Sequence, residues 1–280
     1  MRIVVTGATS FIGRAVAADL EGCGHEVVRL RHSFNEEPDK LPESADVWLH
    51  FAWAGSGSSD RADPVLQRFN ADMTMEAVRK ADELGCRRFV FAGSQAEYGH
   101  QQDGGPKEEY GPTYPVSEYG KAKEVVRRLA EQYAEESGTS MKYVHMRIFS
   151  VYGPGDHAYS LVNSLLEGFM KNETIELGNC TQLWNYLYIS DAACAIRILC
   201  EKADAGIYNV AGDDTRPLRA YVEELQALAG GRGFAAFGKR ADNAEGPADL
   251  SPDISRLKAL GFTPKVSFAE GIRTMLQSEV

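Results

Sequence analysis

Nothing in this 280-residue chain provides for a metal centre or a disulfide framework. Its 5 cysteines, Cys23, Cys86, Cys180, Cys194 and Cys200, are odd in number, scattered, and never fall at paired ligand spacing. They read as reduced core thiols, and no metal is expected. Positive charge is also scarce: 30 Lys and Arg stand against 40 Asp and Glu, a net charge of −10. An acidic surface attracts neither nucleic acid nor an anionic membrane, so neither is expected as a partner. Any phosphate the protein binds must therefore meet positive groups placed locally. No apolar run reaches the roughly 20 residues that span a bilayer, and no internal repeat or low-complexity tract is present. With a first strand read from residue 2, no leader is expected, and a cytoplasmic location is the expectation.

What the chain does have, at its start, is a strand ending in a glycine turn. Residues 3–5 read as a fully buried strand, Gly7 breaks it, and residues 11–20 carry apolar side chains at helical spacing. Strand, small-residue turn and helix in this order frame a dinucleotide site. Gly7 permits the tight turn and Gly13 lets the helix pack close to the strand. The free N–H groups of the helix start, at Phe11 and Ile12, attract a pyrophosphate. Ser10 stands where a middle glycine would let the backbone approach the phosphates, and its hydroxyl can donate to a phosphate oxygen instead.

Residues 25–30 read as a second strand. Dinucleotide sites read the adenosine ribose at the end of this strand, a carboxylate suiting the ribose hydroxyls and a cation suiting a 2′-phosphate. Here the position is Arg31, followed by His32 and Ser33, with Arg14 near the first turn, so NADP(H) is expected over NAD(H). The alternative for Arg31 is a solvated loop cation. Residues 34–45 make a short polar connector where many such folds insert another helix and strand, which predicts a trimmed adenine side. The third strand, 46–51, runs into the loop 52–59 at the carboxyl edge where open α/β sheets bind ligands. Phe51, Ala52 and Trp53 are cofactor candidates there, Trp53 equally fitting a core or interface position.

A helix over 63–84, stopped by Gly85, and a strand over 88–92 lead into the loop 93–99, which carries Ser94. Later comes Tyr119-Gly-Lys-Ala-Lys123, opening a helix on which Tyr119 and Lys123 share one face. A free tyrosine has a pKa of about 10. An ammonium one turn away, with a cationic nicotinamide, favours the phenolate and brings it toward working range. A nearby serine hydroxyl would hold a substrate oxygen in line, an ensemble suited to hydride transfer between a carbinol carbon and nicotinamide.

Together these residues resemble the extended short-chain dehydrogenases/reductases, in particular the NAD-dependent epimerase/dehydratase family that modifies nucleotide-linked sugars. The likeness rests on Thr6-Gly-Ala-Thr-Ser-Phe-Ile-Gly13, the 93–99 loop, Tyr119-Gly-Lys-Ala-Lys123, Met146-Arg-Ile-Phe-Ser-Val-Tyr-Gly-Pro-Gly155 and Asn185-Tyr-Leu-Tyr-Ile-Ser-Asp191. It implies an α/β fold, a Rossmann-type doubly wound parallel sheet with a smaller C-terminal α/β substrate lobe. It further implies Ser94, Tyr119 and Lys123 as catalytic residues and a homodimer through the helices 63–84 and 118–137. Asn70 resembles an asparagine that completes a proton relay in related enzymes, and as a helix residue it equally fits a structural role. The dinucleotide-binding domain is expected over 1–155 plus about 184–205, with the strand 186–189 and helix 192–202 returning to it. The substrate lobe is expected over about 156–183 and 206–280, with strands at 174–177 and 206–210, helices at 159–170 and 217–229, and a flexible hinge at 230–233.

Departures from the family pattern narrow the chemistry. Dehydratases of the family carry an acidic pair directly after the serine or threonine; here Gln95 and Ala96 stand there, so dehydration is not expected. Glu97 lies one position too far on, where alternation along an extended chain would turn it the other way. Ser150 replaces an asparagine that contacts the sugar diphosphate, and Trp184 an arginine that binds it. Either the nucleotide is held differently, with Arg216, Lys239 or Arg240 as candidate anchors, or the substrate is not a usual sugar nucleotide. The first expectation is an NADPH-dependent reductase of a keto group on a nucleotide-activated sugar, the 4-keto carbon of a 6-deoxy intermediate. The alternatives are a 4-epimerase with tightly held NAD, and, from another class, an NADP-sensing protein without turnover.

Overall fold

A computed structural model describes residues 1–55, 57–100, 105–230, 233–241 and 248–278. Ser56 of the loop after the third strand and residues 231–232 of the expected hinge lie outside these. In chain order the elements are β1 (Arg2–Thr6), α1 (Phe11–Gly22), β2 (Glu26–Leu30), β3 (Val47–His50), α2 (Ser58–Ala62), α3 (Pro64–Glu83), β4 (Arg88–Ser94), α4 (Glu118–Ser137), β5 (Lys142–Ile148) and β6 (Ser150–Tyr152). There follow α5 (Leu161–Met170), β7 (Thr174–Glu176), β8 (Leu183–Tyr188), α6 (Ile189–Lys202), β9 (Gly206–Val210), β10 (Thr215–Pro217), α7 (Leu218–Leu228), β11 (Phe234–Ala236), α8 (Ser255–Ala259) and α9 (Phe268–Ser278). Helix starts obey local signals. Ser10, Asp63, Ser117 and Ser160 cap α1, α3, α4 and α5, each side chain accepting a backbone N–H of the first turn.

Six parallel strands form the main sheet in the order β2-β1-β3-β4-β5-β9. Helices α1 and α6 pack on one face and α3 and α4 on the other, the doubly wound Rossmann-type arrangement. Strand alternation decides which side chains meet which helices. Ile3, Val5, Val47, Leu49, Val90 and Val144 turn toward α1 and α6. Val4, Trp48, Phe89, Phe91 and Tyr143 turn toward α3 and α4, with Trp48 stacked on Phe89 at 6.5 Å and Phe89 on Tyr143 at 6.2 Å. One face is thus aliphatic and the other largely aromatic. Truncating the fully buried Trp48 to alanine is expected to cost about 3–5 kcal/mol.

Among the described residues no strand lies outside β2, because the connector 34–45 forms only a single 3-10 turn at Pro38–Lys40. The N–H of Arg31, just past the end of this edge strand, is taken by the Glu37 carboxylate at 2.6 Å. The smaller lobe is built on a three-stranded sheet, β10-β8-β6, and the parallel pair β11-β7, over a core of Leu165, Phe169, Tyr221, Val222, Phe268 and Ile272.

Two segments fall on the other side of the expected domain division. The strand 206–210, assigned from sequence to the lobe, is β9 and pairs along β5 from Val144↔Gly206 to Ile148↔Val210 as the sixth strand of the main sheet. The strand expected to return to the first domain with α6 is β8, and it lies between β6 and β10 in the lobe's sheet. Periodicity identifies a strand but not its neighbour. Here the choice follows side chains: Tyr186 of β8 packs edge-on against Tyr221 at 5.0 Å, whereas Ile207, Tyr208 and Val210 are buried in the main sheet. No helix of the described residues is long and apolar enough to cross a membrane.

Candidate active site

The carboxyl edge of the main sheet brings two constellations together. At the first, Gly7 turns the chain with φ +67°, and a Cβ placed on it would lie 2.8 Å from the backbone of Phe51 and Ala52. A Cβ on Gly13 would lie 2.3 Å from the Gly7 carbonyl oxygen. Both positions therefore exclude side chains, and the turn is closed against the end of β3. The Ser10 Oγ accepts from the Gly13 N–H at 3.1 Å. Ser10 thus caps α1 through a lone pair of its hydroxyl oxygen, and its hydroxyl hydrogen stays available for the phosphate oxygen expected there. The N–H groups of Phe11 and Ile12 have no acceptor among the described residues, which fits a pyrophosphate at this helix start. Arg14 is exposed and donates to the Gly155 carbonyl at 3.2 Å. Arg31 is exposed, and its guanidinium has no ion-pair partner among the described residues. Sequence reading missed Glu37 at the same corner, held below the usual carboxylate range by Lys40 and by the Arg31 N–H. The only sequence signal was an acid three residues before a lysine just beyond the strand.

The second constellation lies at the end of β4. Ser94 closes the strand, and its Oγ accepts from the Ala96 N–H at 3.1 Å. Tyr119 comes from the first turn of α4, where Gly120 allows close approach: a Cβ there would lie 2.6 Å from the Ala96 carbonyl oxygen. Trp53 meets the Tyr119 ring edge-on at 6.0 Å and also packs on Phe91 of the aromatic core at 6.0 Å, so its ring stands between the two. Lys123 is buried beneath, its Nζ 3.5 Å from the centre of the Trp53 ring and 4.6 Å from that of Phe91, donating to the Ala92 carbonyl at 2.7 Å. Burial under these rings pushes its pKa well down, opposed by the charge of Glu97. The Tyr119 phenol is pushed up by burial and by Glu97, and drawn down by the Ser94 hydroxyl and by Arg61. Arg61, which sequence reading missed, stands with its guanidinium carbon 4.7 Å from the centre of the Tyr119 ring.

Glu97 is outside the site as expected, but not for the expected reason. The chain after Ser94 is a 3-10 turn, Gln95–Glu97, rather than an extended segment. Glu97 folds underneath, accepts from the Ser94 N–H at 2.8 Å, and meets His145 Nε2 at 2.9 Å and Arg147 Nε at 2.8 Å, wholly buried. Burial pushes its pKa up, but the His145 and Arg147 charges prevail and hold it at about 2. It is the underpinning of the serine turn. Of the two roles open for Asn70, its contacts fit the structural one: its Oδ1 accepts from the Ala54 N–H at 2.8 Å and its Nδ2 donates to the Ala54 carbonyl at 2.9 Å. Each end of the amide is bonded to the loop after β3, so Asn70 holds that loop. Gln67 assists, accepting from Trp53 Nε1 at 3.0 Å.

On the substrate side, Gln95 donates to Ser150 Oγ at 3.3 Å, while its Oε1 is buried without a donor. Ser150 pairs across the small sheet with Tyr186, and Trp184 pairs with Arg216, so these four share one sheet face running outward from Ser94. Tyr186 was not singled out from sequence. Arg216 lies over the Tyr221 ring at 4.1 Å and is ion-paired with Asp214 at 3.2 Å and with Glu224, so its charge is already matched within the lobe. Lys239 and Arg240 are exposed at the end of the β7–β11 pair, each backbone N–H donating to Leu177. They are not brought to this row. Among the described residues no three His, Cys, Asp or Glu side chains are placed to hold a metal ion.

A family profile described as "NAD dependent epimerase/dehydratase family" matches residues 3–211. The chain is 25% identical over 305 residues to UDP-glucuronic acid decarboxylase 1 of Arabidopsis thaliana, covering 99% of this chain and 69% of that protein. It is 25% identical over 249 residues to a dTDP-6-deoxy-L-talose 4-dehydrogenase (NAD(+)) of Aggregatibacter actinomycetemcomitans, covering 81% of this chain and 90% of that protein. Its fold matches the crystal structure of a UDP-glucose 4-epimerase with UDP-glucose from Thermotoga maritima with a TM-score of 0.87, at 22% identity, over 99% of this chain and 98% of that one.

Proposed function

The chain belongs to the NAD dependent epimerase/dehydratase family, and from that premise we propose that it reduces a keto group, C4 of a 4-keto-6-deoxy hexose, on a nucleotide-activated sugar. The observation that carries this is the meeting of Ser94, Tyr119 and Lys123 at one corner with the amide of Gln95, not an acid, beside them. A bound reduced nicotinamide supplies the hydride. Ser94 orients the substrate oxygen, and Tyr119 gives it the phenolic proton as the carbonyl becomes an alcohol. Lys123 lies under the resulting phenolate. The buried, unpaired Oε1 of Gln95 suits a sugar hydroxyl. With no carboxylate at 95 or 96 there is nothing to abstract a carbon-bound proton and expel water, which supports reduction over dehydration.

NADP(H) is the cofactor proposed, supported by the exposed Arg31 at the end of β2, which has no ion-pair partner among the described residues. One observation favours a second reading: Glu37 places a carboxylate at the same corner, which suits the ribose hydroxyls of NAD and hence a 4-epimerase that retains its cofactor. Incubation with a nucleotide-linked 4-keto-6-deoxy hexose and NADPH tests both. The reductase consumes one NADPH per alcohol formed. Retained NAD with conversion of a 4-hydroxy sugar and no net consumption assigns the epimerase instead. The proposed assembly is a homodimer through α3 and α4, which leave Val65, Phe69, Val125 and Leu129 exposed. Light scattering at the mass of one chain would refute that, and a cytoplasmic location is proposed with it.

A further inference from the structure

Tyr119 is approached by a cation that helix spacing does not supply. Arg61 belongs to α2, between β3 and α3, and its guanidinium carbon lies 4.7 Å from the centre of the Tyr119 ring. Lys123, the partner given by spacing, is farther from that ring at 5.4 Å. Its ammonium is already engaged by the Ala92 carbonyl at 2.7 Å and the face of Trp53 at 3.5 Å. Three groups stand around the phenol, Ser94 at the end of β4, Arg61 on α2 and Lys123 on α4, and the charge of Glu97 acts on it from beneath the 3-10 turn. The two cations differ in permanence. A buried ammonium loses its proton readily, and burial pushes Lys123 that way. A guanidinium stays charged at any working pH, and its planar, weakly hydrated face is the one that stacks on aromatic rings.

We propose that Arg61 is a positioning residue of this site, a second cation that stabilises the phenolate of Tyr119 from the face of its ring. When the Tyr119 O–H bond breaks, the proton passes to the substrate oxygen and the electron pair remains on the phenolic oxygen. Arg61 offsets that charge without needing to hold or release a proton. The direction of its effect on the phenol agrees, since Arg61 draws Tyr119 down while Glu97 pushes it up. Position also matters: Arg61 lies on the same segment whose Trp53 covers Lys123 and whose Ala54 is pinned by Asn70. The segment from the end of β3 through α2 therefore carries both the ring that shelters the lysine and the charge that acts on the tyrosine.

The proposal rests on Tyr119 as the proton donor, and its test is independent of the substrate. Carbon NMR of the full chain labelled at tyrosine Cζ reads the Tyr119 midpoint, the resonance being identified by its loss in Tyr119→Phe. In Arg61→Gln the midpoint should rise by about one pH unit, a tenfold loss of phenol acidity. Arg61→Lys, which keeps the charge without the planar fork, should recover part of it. Nitration of Tyr119 by tetranitromethane, which attacks the phenolate, gives the same comparison at fixed pH and should slow about tenfold in Arg61→Gln. A midpoint and nitration rate unchanged in folded Arg61→Gln overturn the proposal. So does Arg61→Lys behaving as Arg61→Gln, because charge would then not be the cause. A failed reductase assay with the shifted midpoint intact would instead count against the substrate.

Discussion

At the β1–α1 end of the sheet's carboxyl edge the groups proposed to bind the dinucleotide are backbone: the bare Gly7 and Gly13 and the N–H groups of Phe11 and Ile12, which have no acceptor among the described residues. At the β4–α4 end they are side chains drawn from separate segments, with Ser94, Tyr119, Lys123, Trp53 and Arg61 arriving from β4, α4, the loop after β3 and α2. A backbone site is rigid because its ladder and cap make it so, and changing one side chain moves it little unless the change adds bulk. A side-chain site depends on every neighbour that aims it. Glu97 illustrates this, since one wholly buried carboxylate holds the serine turn from below through the Ser94 N–H.

The contrast can be broken most sharply at the two extremes. Tyr119→Phe removes the proton and leaves the glycine turn untouched, so turnover should fall by about 10²–10⁴-fold while dinucleotide affinity, read by fluorescence titration, stays within twofold of wild type. Equal losses of both would join the two constellations into one. Gly7→Ala should do the reverse at the other end. A methyl at φ +67° and 2.8 Å from the β3 backbone has no room, so dinucleotide affinity should drop by at least about tenfold and urea unfolding should show about 1–3 kcal/mol of lost stability.

Acid sharpens the comparison on the side-chain half. His50, bonded to Thr6 Oγ1 at 2.9 Å, is pushed from 6.5 down to about 3 by burial and by the Lys123 charge. Its folded-state pKa is depressed, so the stability it contributes is whole above pH 6.5 and is lost as pH falls toward about 3. His50→Gln should flatten that slope by up to about 1.4 kcal/mol per pH unit, measured as unfolding free energy at stepped pH. An unchanged slope would mean that the ring is not held neutral. The smallest effect belongs to Ser10: Ser10→Ala should cost about 1 kcal/mol as a lost cap and Ser10→Gly only a few tenths. A large loss of dinucleotide affinity in Ser10→Gly would restore the hydroxyl to a phosphate role.

The two halves were unequally legible. The turn from Thr6 to Gly13 could be read in place because strand, turn and helix are adjacent in the chain. Tyr119 and Lys123 were legible for a similar reason, a helix setting i and i+4 on one face. Arg61, Glu37 and the burial of Glu97 were not. Each acts across a tertiary contact, and in sequence each is an ordinary charged residue in a polar stretch. Asn70 was legible as a helix residue, but the contact of its amide with Ala54, sixteen residues back, was not.

By itself the sequence determined the order of the elements, the glycine turn, the serine–tyrosine–lysine set and the missing acids at 95 and 96, because local periodicity, turn chemistry and residue identity are contiguous properties. Tertiary structure alone decided which sheet takes residues 206–210, where Trp53 points, that Arg216 is matched by Asp214 and Glu224, and that a second cation reaches Tyr119. Those depend on which distant segments share buried area and charge, and no spacing along a single chain encodes that.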